Sequence, residues 1–142
     1  MRGTVLVFTF RVYWSGREAR AVSRILVVED DPATLMFLTD ALESEGYQVA
    51  PASDGRAALD YLESCGRYQP DAILLDLYLP LVDGQEVAAA YGKLAVHHAP
   101  IVVVSAALDA VRRAASMRVS GALVKPVALD ELLDRVRTVV TG

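Results

Sequence analysis

Four short apolar runs and one mixed segment constrain the fold of this 142-residue chain more than any other feature. They are Ile25-Leu26-Val27-Val28, the segment from Tyr47 to Ala52, Ala72-Ile73-Leu74-Leu75, Ile101 to Val104, and Ala122-Leu123-Val124. Runs this short, continuous and rich in β-branched residues read as strands buried on both faces. Helical signals separate them. Asp31-Pro32 places an N-cap before a proline at the first helical position, Leu35, Leu38 and Leu42 recur at helical spacing, and Gly46 ends that helix. Ser53-Asp54-Gly55 leads into a helix over Ala57 to Cys65. Asp83 and Glu86 have the spacing of a capping box before a helix from Gly84 to Ala95. Further helices are predicted over Leu108 to Val119 and Leu129 to Val140, the last with Leu132, Leu133, Val136 and Val140 on one face. Strands apolar on both sides need helices above and below them. An α/β architecture follows, with right-handed crossovers pointing to a doubly wound five-stranded parallel sheet of order 2-1-3-4-5.

The length suits one domain with a core of its own. Hydrophobic residues at 54% and charged residues at 23% exclude a chain disordered by composition. Eighteen acidic against fourteen basic residues, a formal net charge of −4, argue against a general nucleic-acid binder. The single cysteine, Cys65, excludes an internal disulfide framework and a cysteine-rich zinc site, and it fits a reducing cytoplasm. No run approaches the ~20 apolar residues needed to span a bilayer.

Residues 1–24 do not share the regular pattern. They carry five arginines and one glutamate, a balance of +4, whereas residues 25–142 carry nine basic and seventeen acidic residues, a balance of −8. An early Arg2, an apolar stretch and Ala19-Arg20-Ala21 imitate a signal peptide, but Arg11 interrupts the run and argues against export. The segment reads as an N-terminal extension outside the core domain of residues 25–142. A competing reading is an extra strand, with Val5, Val7, Thr9 and Arg11 alternating against Leu6, Phe8, Phe10 and Val12.

The chemistry lies where the strands end. The first stops at Glu29-Asp30-Asp31, the third at Asp76, the fourth at Ser105 and the fifth at Lys125. Open α/β sheets bind ligands beyond the carboxyl ends of their strands, and these four strands are neighbours in the predicted order. Carboxylates brought together in this way repel one another, and a hard cation such as Mg²⁺ relieves the repulsion. An aspartate beside such a cation can accept a phosphoryl group as an acyl phosphate, with a hydroxyl and an ammonium as donors to the new oxygens.

These segments, ILVVEDDP (25–32), DAILLDLYLPLVDG (71–84), IVVVSA (101–106) and ALVKP (122–126), resemble the receiver domain of two-component response regulators. The resemblance implies a flavodoxin-like receiver fold over residues 25–142. It implies Asp76 as phosphoacceptor, with Mg²⁺ bound by Asp30, Asp76 and the main-chain carbonyl of Tyr78, and by Glu29 through water. Ser105 is the implied hydroxyl and Lys125 the implied ammonium, followed by a cis bond to Pro126. The implied donor is a sensor histidine kinase or a phosphotransfer protein, and the implied output is altered docking to a downstream protein partner. The chain would catalyse its own phosphorylation and dephosphorylation without being a metabolic enzyme. With no effector segment after Gly142, it reads as a stand-alone, chemotaxis-regulator-like, cytoplasmic receiver.

Two positions depart from the family. Receivers commonly carry an aromatic residue three positions before the lysine, and here that residue is Ala122, which removes the usual lever from the site to the last helices. This favours the alternative of a phosphorylation-independent interaction module, against which stands the intact set of Glu29, Asp30, Asp76, Ser105 and Lys125. The second position is Tyr78, two residues after Asp76. A phosphohydrolase would need a second acid there. Elsewhere, Arg112, Arg113 and Arg118 read either as a solvated face or as a contact to an acidic partner or a homodimer mate. His97-His98 reads as a solvated loop and Cys65 as a half-buried helix end. If Tyr78 shields the acyl phosphate, Tyr78→Ala should shorten its lifetime, and an unchanged lifetime would remove that role.

Overall fold

A computed structural model of the chain describes residues 22–106 and 109–142. The strand weighed for residues 5–12 lies outside them. Five strands, β1 (Arg24–Val28), β2 (Gln48–Ala52), β3 (Ala72–Leu75), β4 (Ile101–Ser105) and β5 (Gly121–Val124), form one sheet of order β2-β1-β3-β4-β5, parallel throughout. Helices α1 (Pro32–Ser44), α2 (Gly55–Cys65), α3 (Gly84–Gly92), α4 (Asp109–Ala115) and α5 (Leu129–Thr141) make the connections. β1 takes up Arg24, and the Ser23 carbonyl accepts from the Gln48 amide at 2.9 Å, so the sheet reaches into the last residues of the expected extension. No helix among the described residues is long and apolar enough to cross a membrane.

The pleat sorts each apolar strand between two cores. Ile25, Val27, Leu74, Val102 and Val104 pack against Leu38 and Leu42 of α1 and Leu132 and Val136 of α5. Leu26, Val28, Ile73 and Leu75 pack on the other face against Leu59 and Leu62 of α2 and Val87 and Tyr91 of α3. Burial on both faces is why these runs lack polar alternation. Pro51, which has no amide hydrogen to donate, falls in β2 at the sheet edge, where a missing donor is tolerated.

The helix starts follow the predicted chemistry. Asp31 Oδ2 accepts from the Thr34 amide at 2.9 Å, Asp54 Oδ1 from Ala57 at 2.7 Å, and Asp83 and Glu86 exchange both bonds of a capping box. Two helices end earlier than their periodicity predicts. Helix α3 stops at Gly92 rather than Ala95, because the buried Tyr91 hydroxyl accepts from the Ala99 amide at 2.8 Å and draws the chain back toward β4. The same hydroxyl donates to Gln69 Oε1 at 2.9 Å, and Gln69 bonds the Leu62 and Gly66 carbonyls. Helix α4 stops at Ala115 rather than Val119. Three-residue bonds from Ser116 to Arg113 and from Met117 to Ala114 tighten its end, and the Ser120 amide then pairs with the Ile101 carbonyl to start β5.

One close approach fixes the loop after β3. The Gly84 amide donates to the Leu77 carbonyl at 2.9 Å, and a β-carbon at Gly84 would overlap the Asp76 carbonyl oxygen. The start of α3 is thereby pressed against the residue that ends β3. Gly84→Ala should cost about 2 kcal/mol through overpacking, seen as a lowered urea midpoint with unchanged slope. Gly92→Ala, with nothing within 4 Å of the new methyl, should not lower it.

Candidate functional site

The main-chain ladder runs one residue past β1, β3 and β5 and carries their polar residues with it. The Glu29 amide donates to Ala52 O at 3.0 Å, Asp76 to Val28 O at 3.1 Å, and Lys125 to Ser105 O at 2.9 Å. Residues that end separate strands are therefore held at one edge of the sheet. One carboxylate oxygen from each of Glu29, Asp30 and Asp76 lies within 4.8 Å of the others. Glu29 and Asp76 are 1% and 6% exposed, whereas Asp30 is open to solvent.

Lys125 closes this cluster. Its Nζ donates to Glu29 Oε1 at 2.6 Å and to Asp76 Oδ2 at 2.9 Å. The second oxygen of each buried carboxylate takes a backbone amide two residues on: Glu29 Oε2 from Asp31 at 3.1 Å, and Asp76 Oδ1 from Tyr78 at 3.1 Å. The Tyr78 carbonyl, the remaining oxygen that the resemblance implies for a cation, thus belongs to a residue tied to Asp76. The Lys125-Pro126 bond is cis, as the resemblance implies.

Burial pushes the Glu29 carboxyl above its ordinary pKa, and the Asp76 charge adds to the rise, against the bonds from Lys125 and the Asp31 amide. Burial alone would lower the Lys125 ammonium, but its bonds to Glu29 and Asp76 outweigh that and hold it above its ordinary value. Asp31 moves the opposite way to Glu29, lowered by the Thr34 hydroxyl and amide, which suits a helix cap outside the cluster.

Three carboxylates against one ammonium leave two negative charges, the complement of one divalent cation. The donors are all hard oxygens, the set that Mg²⁺ prefers. A second observation points to a ligand. Ser105 is fully buried at the end of β4, and its Oγ has no hydrogen-bond partner among the described residues. A buried hydroxyl left unpaired costs about 1–3 kcal/mol, so a position that keeps one is waiting for an acceptor.

A model of the response regulator receiver domain matches residues 25–137. The chain belongs to that family. Response regulator MprA of Mycolicibacterium vanbaalenii is 40% identical over 124 residues, covering 82% of this chain and 50% of that protein. The probable methanogenesis regulatory protein FilR2 of Methanothrix harundinacea is 40% identical over 116 residues, covering 76% of this chain and 75% of that protein. The chain thus spans about half the length of MprA. Among solved structures, a CheY-like receiver domain from Methanospirillum hungatei superposes with a TM-score of 0.75 at 27% identity, covering 85% of this chain and 95% of that one. As a receiver domain the chain falls within two-component signalling, and its family generally binds Mg²⁺.

The receiver's other singled-out residues stand apart from the cluster. Cys65 is the half-buried last residue of α2. His98 is exposed and bonded to the Leu94 carbonyl at 2.9 Å, with its ring edge against Tyr91. Ala122 lies half-buried beside a small cluster of Leu77, Val103 and Ala114. Arg112 and Arg118 face solvent, but Arg113 is half-buried and bonded to Gln85. Sequence reasoning missed that pair, since 28 residues separate its members with no periodic relation between them.

Replacing Lys125 tests the cluster's electrostatics. Lys125→Met leaves two buried carboxylates without their ammonium and should cost about 2 kcal/mol at pH 7, below the usual range for a broken buried pair because Lys125 keeps 19% of its side chain exposed. Glu29 has a folded pKa above its unfolded value, so the stability linked to its proton is complete below the unfolded value and lost as pH rises through the folded one. Lys125's own linked stability is lost only at alkaline pH, as pH rises through its elevated value. The deficit of the variant against wild type should therefore narrow as pH falls from neutrality through the Glu29 range, measured by urea unfolding across pH.

Proposed function

We propose that this receiver takes a phosphoryl group on Asp76 from a sensor histidine kinase or phosphotransfer protein and signals through altered docking to a downstream protein partner, in the cytoplasm. The observation that carries this reading is the surroundings of Asp76: a buried carboxylate bonded by Lys125, with a buried hydroxyl, Ser105, that has no partner among the described residues, at the end of the adjoining strand.

Asp76 attacks the phosphorus of a donor phosphohistidine. A carboxylate oxygen–phosphorus bond forms, the phosphorus–nitrogen bond breaks, and the departing imidazole takes up a proton. Asp76 is aligned for this by the Tyr78 amide on Oδ1 and the Lys125 ammonium on Oδ2. Lys125 and Ser105 then donate to the phosphoryl oxygens, which gives the buried Ser105 hydroxyl an acceptor. Asp30, Asp76 and the Tyr78 carbonyl would hold Mg²⁺, with Glu29 acting through water. Bound there, the ion supplies the positive charge that lets a phosphoryl group approach a triple-carboxylate site. In a separate dephosphorylation step, water attacks phosphorus, the carboxylate oxygen–phosphorus bond breaks, Asp76 is restored and inorganic phosphate leaves. The domain boundary that goes with this reading sets the receiver apart from an N-terminal extension expected over residues 1–24, with the last of these, Arg24, already taken into β1.

One observation favours a second reading, a phosphorylation-independent interaction module. Ala122 contributes only a methyl group to the packing under α4, so no aromatic side chain links the site to that face. Incubation with Mg²⁺ and acetyl phosphate separates the two. Intact mass should rise by one phosphoryl group, the gain should vanish in Asp76→Asn, and Ser105→Ala should slow it by roughly tenfold or more. No gain with acetyl phosphate, and no change with a beryllofluoride mimic, would favour the interaction module.

A further inference from the structure

The loop that follows Asp76 is held from outside the acceptor site. Tyr78 is half exposed, and the Arg113 guanidinium of α4 lies over its ring, 5.3 Å from the centroid. That distance is within the range of a cation–π contact. The guanidinium is not free to swing, because its Nη2 and Nε donate to Gln85 Oε1 at 2.8 and 3.3 Å. Gln85 is the second residue of α3, next to Gly84, which is pressed against the Asp76 carbonyl. The Tyr78 amide in turn donates to Asp76 Oδ1. A closed chain of contacts therefore runs from the acceptor carboxylate to Tyr78, to Arg113 on α4, to Gln85 on α3 and back through Gly84 to Asp76.

We infer that Arg113 is a positioning residue for the acceptor site: with Gln85 it clasps the Tyr78 ring, ties α4 to the loop carrying Asp76, and sets the lifetime of the acyl phosphate. The inference rests on Asp76 being the phosphoacceptor. The clasp gives this chain a physical link between α4 and the acceptor loop although Ala122 supplies no aromatic lever. Only a planar guanidinium can lie on a ring while offering two N–H groups to one amide oxygen, so lysine should replace it in part.

The test is a double-mutant cycle on the lifetime of the phosphorylated full chain, labelled with acetyl phosphate and Mg²⁺ and then freed of donor. Arg113→Ala should shorten the lifetime by about threefold, the scale of one exposed cation–π contact, and Arg113→Lys should restore part of it. On a Tyr78→Leu background, Arg113→Ala should have no further effect. An equal shortening on both backgrounds, or none on either, would overturn the clasp. In the unphosphorylated protein, the amide NMR signals of Asp76 and Tyr78 should move in Arg113→Ala and less in Arg113→Lys, and unmoved signals would overturn it too. If wild type takes no label at all, the phosphoacceptor reading fails, and the amide signals then decide the clasp separately.

Discussion

The ammonium of Lys125 between two buried carboxylates is the contact on which the rest of this receiver's site depends. Glu29 comes from the end of β1, Asp76 from the end of β3 and Lys125 from the end of β5. Without the ammonium, those carboxylates would face each other in a poorly solvated edge, where like charges repel strongly. With it, they are held close enough for Asp30 to complete a compact oxygen cluster. The attraction does not neutralise the cluster, and the residual negative charge is what makes the edge a place for a divalent cation rather than a closed ion pair. Surface ion pairs elsewhere, such as Arg56 with Asp60 and Arg137 with Asp134, are well exposed and contribute little by comparison.

The sheet makes that contact possible by its regularity. Main-chain bonds extend beyond β1, β3 and β5, so the residue after each of them is as firmly placed as the strand itself. Polar side chains gather at one edge because the two hydrophobic cores on either face leave them nowhere else to go. The loops add precision by close approach as well as by side-chain bonding. Gly84 lets the start of α3 lie against the Asp76 carbonyl, and Gly55 lets the start of α2 lie against the Val82 carbonyl. A side chain at either position would displace the loop that follows Asp76.

Much of this was legible before any coordinates. The central strands showed themselves because burial on both faces demands unbroken apolar runs, whereas the edge strands β2 and β5 are only partly buried. The caps at Asp31, Asp54 and Asp83 were readable because capping is local chemistry between residues two or three apart. The helix ends at Gly92 and Ala115 were not. Periodicity continues past both, and the chain leaves the helix because Tyr91 bonds Ala99 and because Ser120 must pair with Ile101. The pairing of Arg113 with Tyr78 and Gln85 was hidden for the same reason, since it joins residues from three separate elements.

The sequence by itself determined the alternation of strands and helices, the doubly wound order, and which residues would end each strand, since these follow from side-chain polarity and local spacing. Tertiary structure alone decided that Lys125 bridges Glu29 and Asp76, that Ser105 is buried without a partner among the described residues, and that α4 reaches back to Tyr78. Those outcomes depend on angstrom-scale distances between residues far apart in the chain. They arise only when both cores have packed and the strands have settled into register.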